Sequence, residues 1–204
     1  MSKLRKLDFS ARRISTVFLL LMTTTILSSI VRAAPTTQPA GSTVAPMFPK
    51  GSFTLNAAAG YTRSLDKDEA DIGSVELGGN YFIWNNFSLG AEIDGYGISQ
   101  LGDDAAAIGL EATFRHHFWQ RDDWTIFIDG AFGPSYSTRE TPQGGTHFNF
   151  VSRLGLGATI RLEEHLHLMF GARYWHLSNA RIEGVDRNPN FNGIEGYVGL
   201  MWQF

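Results

Sequence analysis

Residues 147–162, HFNFVSRLGLGATIRL, separate into two faces when every second residue is taken. One set is Phe148, Phe150, Ser152, Leu154, Leu156, Ala158, Ile160 and Leu162, almost wholly apolar. The other is His147, Asn149, Val151, Arg153, Gly155, Gly157, Thr159 and Arg161, which carries the charges and the glycines. Successive side chains of a strand point to opposite faces, so a period of two over this length predicts a two-faced β-strand.

Outward from this stretch, the same pattern recurs. Eight segments are predicted, at about 52–62, 71–83, 87–99, 105–118, 124–137, 147–162, 165–178 and 193–204, separated by short polar turns. Glu92 and Asp94 oppose Leu89, Ala91 and Ile93, while Glu111, Thr113 and Arg115 oppose Leu110, Ala112 and Phe114. None of the segments sustains a helical period. The expected fold is all-β, an eight-stranded antiparallel transmembrane β-barrel over residues 51–204. Strands of about 9–11 residues plus overhang suit a tilted bilayer crossing, and eight is the smallest even strand number of outer-membrane barrels. The chain also ends Val198-Gly-Leu-Met-Trp-Gln-Phe204, apolar on alternate positions with an aromatic terminus. A soluble exported barrel that binds an apolar ligand fits the same alternation, and partition into detergent separates the two.

In a membrane barrel the polar set faces inward. Glu76, Glu92, Asp94, Glu111, Arg115, Asp129, Arg153, Arg161 and Arg173 should then form ion pairs in a filled interior, not line a conducting pore. The short turns at Asn85-Asn86, 120–123 and Glu163-Glu164 are assigned to the periplasm, and the longer links 63–70, 100–104, 138–146 and 179–192 to the cell exterior.

Ahead of the barrel, residues 1–33 combine a basic start (Lys3, Arg5, Lys6, Arg12, Arg13), an apolar run from Ile14 to Val31, and Val31-Arg32-Ala33. This is the pattern of a secretory signal peptide cleaved after Ala33. Residues 34–50, APTTQPAGSTVAPMFPK, are expected to form a flexible leader. The first 33 residues hold six basic residues and one acid, so the formal charge of −3 becomes −3 − 5 = −8 without them. That acidity argues against nucleic acid as a partner. With no cysteine, disulfide and thiol chemistry are excluded.

The seventh segment carries the chemistry. Arg173 is on its inward face, so His176 and Ser178 point toward lipid at the outer end of the strand. A polar pair on a lipid face is expensive and suggests a function. Residues i and i+2 lie ~7 Å apart on one face, close enough for an imidazole to act as base to a serine that is a weak nucleophile unaided.

Trp175-His-Leu-Ser-Asn-Ala180, followed by Asn188-Pro189 and Gly193-Ile-Glu195, resembles the lipid A 3-O-deacylase (PagL, acyloxyacyl hydrolase) family. The His-x-Ser-Asn-Ala block is complete, while the link to the Gly-x-Glu block is several residues longer than the family's. The resemblance implies a serine esterase, acting on an ester-linked 3-hydroxyacyl chain of lipid A in lipopolysaccharide, among the lipids of the bacterial outer membrane. It implies Ser178 as nucleophile, His176 as base and Glu195 as the acid that orients the imidazole, with no metal or cofactor. Asn179 and an asparagine of the second block would hold the oxyanion. Asn188, Asn190 and Asn192 are all candidates for that asparagine, and Asn188 is preferred because Asn188-Pro189 matches the family's dipeptide.

Glu195 sits awkwardly in this scheme. Counting back from Phe204, strict alternation sends Trp202, Leu200, Val198 and Gly196 outward and Glu195 inward. A bulge at Gly196, or Glu195 preceding regular pairing, would restore the triad. Other readings remain for neighbouring residues. Tyr174 and Trp175 suit girdle or packing aromatics. His116-His117, His147 and the His165/His167 pair lack the spacing of a known metal site. The rival function is a non-enzymatic eight-stranded barrel for adhesion, surface structure or small-ligand binding, which has no need of the His/Ser/Glu set. A homodimer is compatible with either, and no residue decides it. N-terminal sequencing of the exported protein should read Ala34 as its first residue.

Overall fold

The alternation in residues 147–162 is realised as strand β6 (Thr146–Arg161). Seven others share the pattern: β1 (Phe53–Ser64), β2 (Ala70–Trp84), β3 (Phe87–Gln100), β4 (Ala105–Gln120), β5 (Trp124–Thr141), β7 (Leu166–Ser178) and β8 (Phe191–Gln203). The computed structural model describes residues 45–65 and 70–204. Each strand pairs antiparallel with its sequence neighbours, and β8 returns to β1 to close the barrel. Several strands run further than the sequence suggested, β5 most of all: it reaches Thr141, which pairs with Thr146 beyond an irregularity after Tyr136, and β8 begins at Phe191, which pairs with Leu177.

The two faces are inverted relative to a water-soluble protein. Along β2, Val75 and Leu77 are 62% and 66% exposed, while Glu76 between them is 4% exposed. The outward face continues with Leu89, Ile93, Leu110, Phe132 and Leu156. An apolar surface that encircles the molecule is a lipid-facing surface. The expected eight-stranded transmembrane barrel is therefore the observed one. The short turns and the described terminal segments share one end; residues 101–104, 142–145 and 179–190 lie at the other.

The interior is filled in three tiers. At the end with the short turns, Phe48, Phe82, Met169 and Met201 form an apolar cluster. At the loop end, Ile72, Tyr96, Val151, Trp175, Leu177 and Phe191 form another. Between them lies a charge network. Arg153 donates to Glu76 at 2.8 Å, Asp94 at 3.3 Å and Glu111 at 2.9 Å, and also to Glu92. Arg173 donates to Asp129 at 2.9 Å and Glu76 at 3.0 Å, with its guanidinium 3.8 Å from the Tyr197 ring centre. Arg115 joins through Asp129 at 3.1 Å. Gly155 is opposite Arg173 in the ladder, and a Cβ there would lie 2.6 Å from the Arg173 Cγ. The absence of a side chain is what lets the arginine cross the lumen.

Two sequence expectations are corrected. Arg161 is exposed, because β6 leaves the barrel there. The end of the expected flexible leader is docked instead: Phe48 is fully buried, stacking on Phe82 at 5.0 Å and against His117 at 4.3 Å. Backbone hydrogen bonds fix this segment, from the Met47 N–H to Gln120 Oε1 and from the Asn86 N–H to the Phe48 carbonyl. Pro and Thr content hid the one aromatic that closes the barrel mouth. The signal peptide 1–33 and residues 34–44 of the leader lie outside the described residues.

Removing the shared cation should be costly. Arg153→Met keeps much of the volume but leaves three buried carboxylates, Glu92, Asp94 and Glu111, without an arginine partner, and is expected to lower barrel stability by about 3–5 kcal/mol. The measurement is the urea unfolding midpoint of the refolded barrel, read by tryptophan fluorescence.

Candidate active site

Strand parity delivers His176 and Ser178 to the outer wall. Arg173, Trp175 and Leu177 are buried in the lumen, and Tyr174, His176 and Ser178 alternate with them on the lipid side. The His176 Nε2 is 3.2 Å from the Ser178 Oγ. Both side chains are half-buried and stand where β7 enters the 179–190 loop, on the rim of the barrel. A hydroxyl within hydrogen-bond reach of an imidazole nitrogen is the geometry for proton removal from a serine nucleophile.

Glu195 is not brought to this pair. β7 and β8 pair without a register shift from Leu177↔Phe191 to Leu166↔Trp202, so no bulge forms at Gly196. Glu195 lies opposite Arg173, fully buried, with Arg173 at 3.5 Å and the Ser74 hydroxyl donating to it at 3.1 Å. The expected Ser-His-Glu triad is corrected on this point: regular alternation puts the carboxylate in the lumen's charge network. The residue opposite His176 is Asn192, whose Oδ1 is 2.8 Å from the His176 Nδ1. The Tyr174 hydroxyl donates to the same oxygen at 2.5 Å. The parity that turned Glu195 inward also turns Asn192 outward, and that signal was available in the sequence.

Asn179 and Asn188 build the loop. Asn179 is buried one step beyond Ser178, on the opposite face. Its Nδ2 donates to the Arg187 carbonyl at 2.6 Å and to the Thr146 hydroxyl at 3.2 Å. Its Oδ1 accepts the Arg181 N–H at 2.9 Å, a turn in which an asparagine mimics backbone two residues on. This bond holds Ala180 and Arg181 at φ 51 and 62, a region that disfavours side chains with a Cβ. All polar atoms of the Asn179 side chain are thus engaged in the loop. Asn188 Oδ1 accepts the N–H of Asn179, the residue after Ser178, at 2.9 Å. Asn190 is exposed. Arg187 ties the loop to the β5–β6 hairpin through Glu140 at 3.0 Å and the Gly145 carbonyl at 3.0 Å.

Among the described residues, the carboxylates of Glu76, Glu92 and Asp94 offer atoms within 4.8 Å of one another, as a cation site would. The Arg153 guanidinium already engages all three.

A family profile described as lipid A 3-O-deacylase (PagL) matches residues 56–201, more than half of the chain. Among solved structures, Neisserial surface protein A is 14% identical, with 75% of this chain and 96% of that chain covered and a TM-score of 0.57. The outer membrane enzyme PagL is 21% identical, with 74% of this chain and 98% of that chain covered and a TM-score of 0.48. The likeness to the Neisserial protein shows a shared barrel fold. A search of curated protein sequences found no match.

The loop architecture has a direct test. Asn179→Ala removes three hydrogen bonds from the 179–190 turn, each worth about 1 kcal/mol. Trypsin should then cut at Arg181 and Arg187 at least about fivefold faster than in the parent barrel, as read by the rate of fragment appearance in mass spectra.

Proposed function

The chain belongs to the lipid A 3-O-deacylase (PagL) family, and on that premise we propose that it is a serine esterase that removes an ester-linked 3-hydroxyacyl chain from lipid A. The observation that carries this reading is the 3.2 Å approach of the His176 Nε2 to the Ser178 Oγ on the lipid-facing wall. A barrel without chemistry has no use for that pair, since polar groups facing lipid destabilise it. The loop end of the barrel is assigned to the cell exterior, which sets the pair at the level of the outer leaflet, where lipid A resides. Residues 1–33 are proposed to direct export as a signal peptide that is cleaved after Ala33.

In the proposed mechanism, the Ser178 Oγ attacks the ester carbonyl while the His176 Nε2 takes the serine proton. The carbonyl oxygen becomes an oxyanion, and Asn188, whose Oδ1 accepts the N–H of the residue after Ser178, is proposed to supply its Nδ2 as side-chain donor. Collapse of the tetrahedral intermediate breaks the bond to the sugar oxygen. His176 returns the proton to the departing alkoxide, leaving the acyl group on Ser178. Water, deprotonated by His176, then attacks the acyl-enzyme, releases the 3-hydroxy fatty acid and restores the serine. Asn179 acts at one remove, through the loop that carries Asn188.

Mass spectrometry of lipid A before and after incubation with the folded barrel tests this. The expected result is loss of one hydroxyacyl chain. Ser178→Ala should reduce the rate at least about 10³-fold without loss of the folded barrel, and Asn188→Ala about 10²-fold. Unchanged lipid A mass with folded wild-type protein would sink the proposal.

A further inference from the structure

A serine–histidine pair needs a third group, because an imidazole that can rotate or carry its proton on the wrong nitrogen is a poor base. The interior carboxylate does not supply it. Glu195 is three residues along β8 from the residue opposite His176, about 10 Å of strand, and faces the lumen. We infer that Asn192, clamped by Tyr174, is the group that orients His176, so that this enzyme works with a Ser178-His176-Asn192 arrangement in which the third member is uncharged. This inference rests on the esterase reading above.

Three features support it. Asn192 is directly opposite His176 in the β7–β8 ladder, on the same face of the wall, with its Oδ1 2.8 Å from the His176 Nδ1. A carboxamide oxygen only accepts, so it fixes the proton on Nδ1 and leaves the Nε2 lone pair facing the Ser178 hydroxyl. That is the tautomer a general base requires. The Tyr174 hydroxyl, two residues before His176 on the same face, donates to the same Oδ1 at 2.5 Å. Two donors on one oxygen set the flip of the amide, since its NH₂ cannot accept from the imidazole. The location explains the choice of an amide. On a wall that faces lipid, an ionised carboxylate costs more than an amide whose oxygen accepts two hydrogen bonds.

A neutral third residue has a chemical consequence. A carboxylate would stabilise the imidazolium formed during attack and would hold the proton on His176 more strongly. With Asn192, the imidazole is oriented without that charge.

The test uses the full-length barrel refolded in detergent micelles, with purified lipid A as substrate. Folding of each variant is checked by its heat-modifiable gel mobility. Asn192→Ala should lower kcat at least about tenfold with KM within about twofold. Asn192→Asp should restore most of the activity at alkaline pH and move the acid limb of the pH–rate profile to higher pH, a shift that a merely structural role would not produce. Tyr174→Phe should lower kcat by about threefold. Glu195→Gln, once folded, should stay within about threefold of wild type. Nitrogen NMR of the His176 ring gives a readout independent of turnover: the Nδ1–H tautomer should dominate in wild type and give way to a mixture in Asn192→Ala. Wild-type kcat in Asn192→Ala, an unmoved acid limb in Asn192→Asp, or a folded Glu195→Gln as inactive as Ser178→Ala would each overturn the inference. If Asn192→Ala does not fold, the profile of Asn192→Asp decides alone. A Ser178→Ala protein with full activity would instead remove the esterase reading, whereas an intact His176 tautomer in an inactive wild type would separate the two failures.

Discussion

Closure of the backbone hydrogen-bond ladder is the constraint from which the rest follows. In hydrocarbon an unpaired N–H or carbonyl has no water to turn to, so a sheet survives there only without edges. The pairing of β8 with β1, from Thr54↔Gln203 to Ser64↔Gly193, removes them. Once the ring is closed, every strand must send alternate residues to lipid and to the lumen. The two-faced pattern of residues 147–162 is the imprint of that geometry on the sequence. Eight strands enclose a lumen narrow enough for side chains to fill.

The filling is specific. Arg153 and Arg173 reach carboxylates on several strands each, so their guanidiniums tie distant parts of the ring together across the lumen. Charges at this depth cost several kcal/mol apiece unless paired and hydrogen-bonded, and multidentate arginine contacts meet that requirement. The apolar tiers above and below keep water from the network. Phe48, brought in from the segment before β1, completes the tier at the end with the short turns.

Fixed walls give a fixed site. His176, Ser178 and Asn192 are all held on paired strands or at the first residue beyond pairing, so their spacing is set by the ladder, not by a mobile loop. The loop contributes differently, through the Asn179 turn and the Asn188 contact that fix the chain directly after Ser178. The proposed chemistry is thus placed on the outside of the barrel, and the lumen is left to stability.

The sequence by itself determined the strand number and which residues share a face, because these follow from a period of two and from counting; strand length, the even strand number and the aromatic end at Phe204 pointed to the inverted faces and so to the outward placement of His176 and Ser178. It also carried the family resemblance in Trp175–Ala180 and Gly193–Glu195. Only the tertiary structure decided which residue stands behind His176. Motif matching favoured Glu195, parity opposed it, and the cross-strand register between β7 and β8 resolved the conflict by pairing His176 with Asn192 and Glu195 with Arg173. The docking of Phe48 was likewise hidden, since a Pro- and Thr-rich segment shows no periodicity and its burial depends on rings contributed by β2, β4 and β7. Local pattern fixes which way a side chain points; which partner it meets depends on register and on distant strands, and those exist only once the ring has closed.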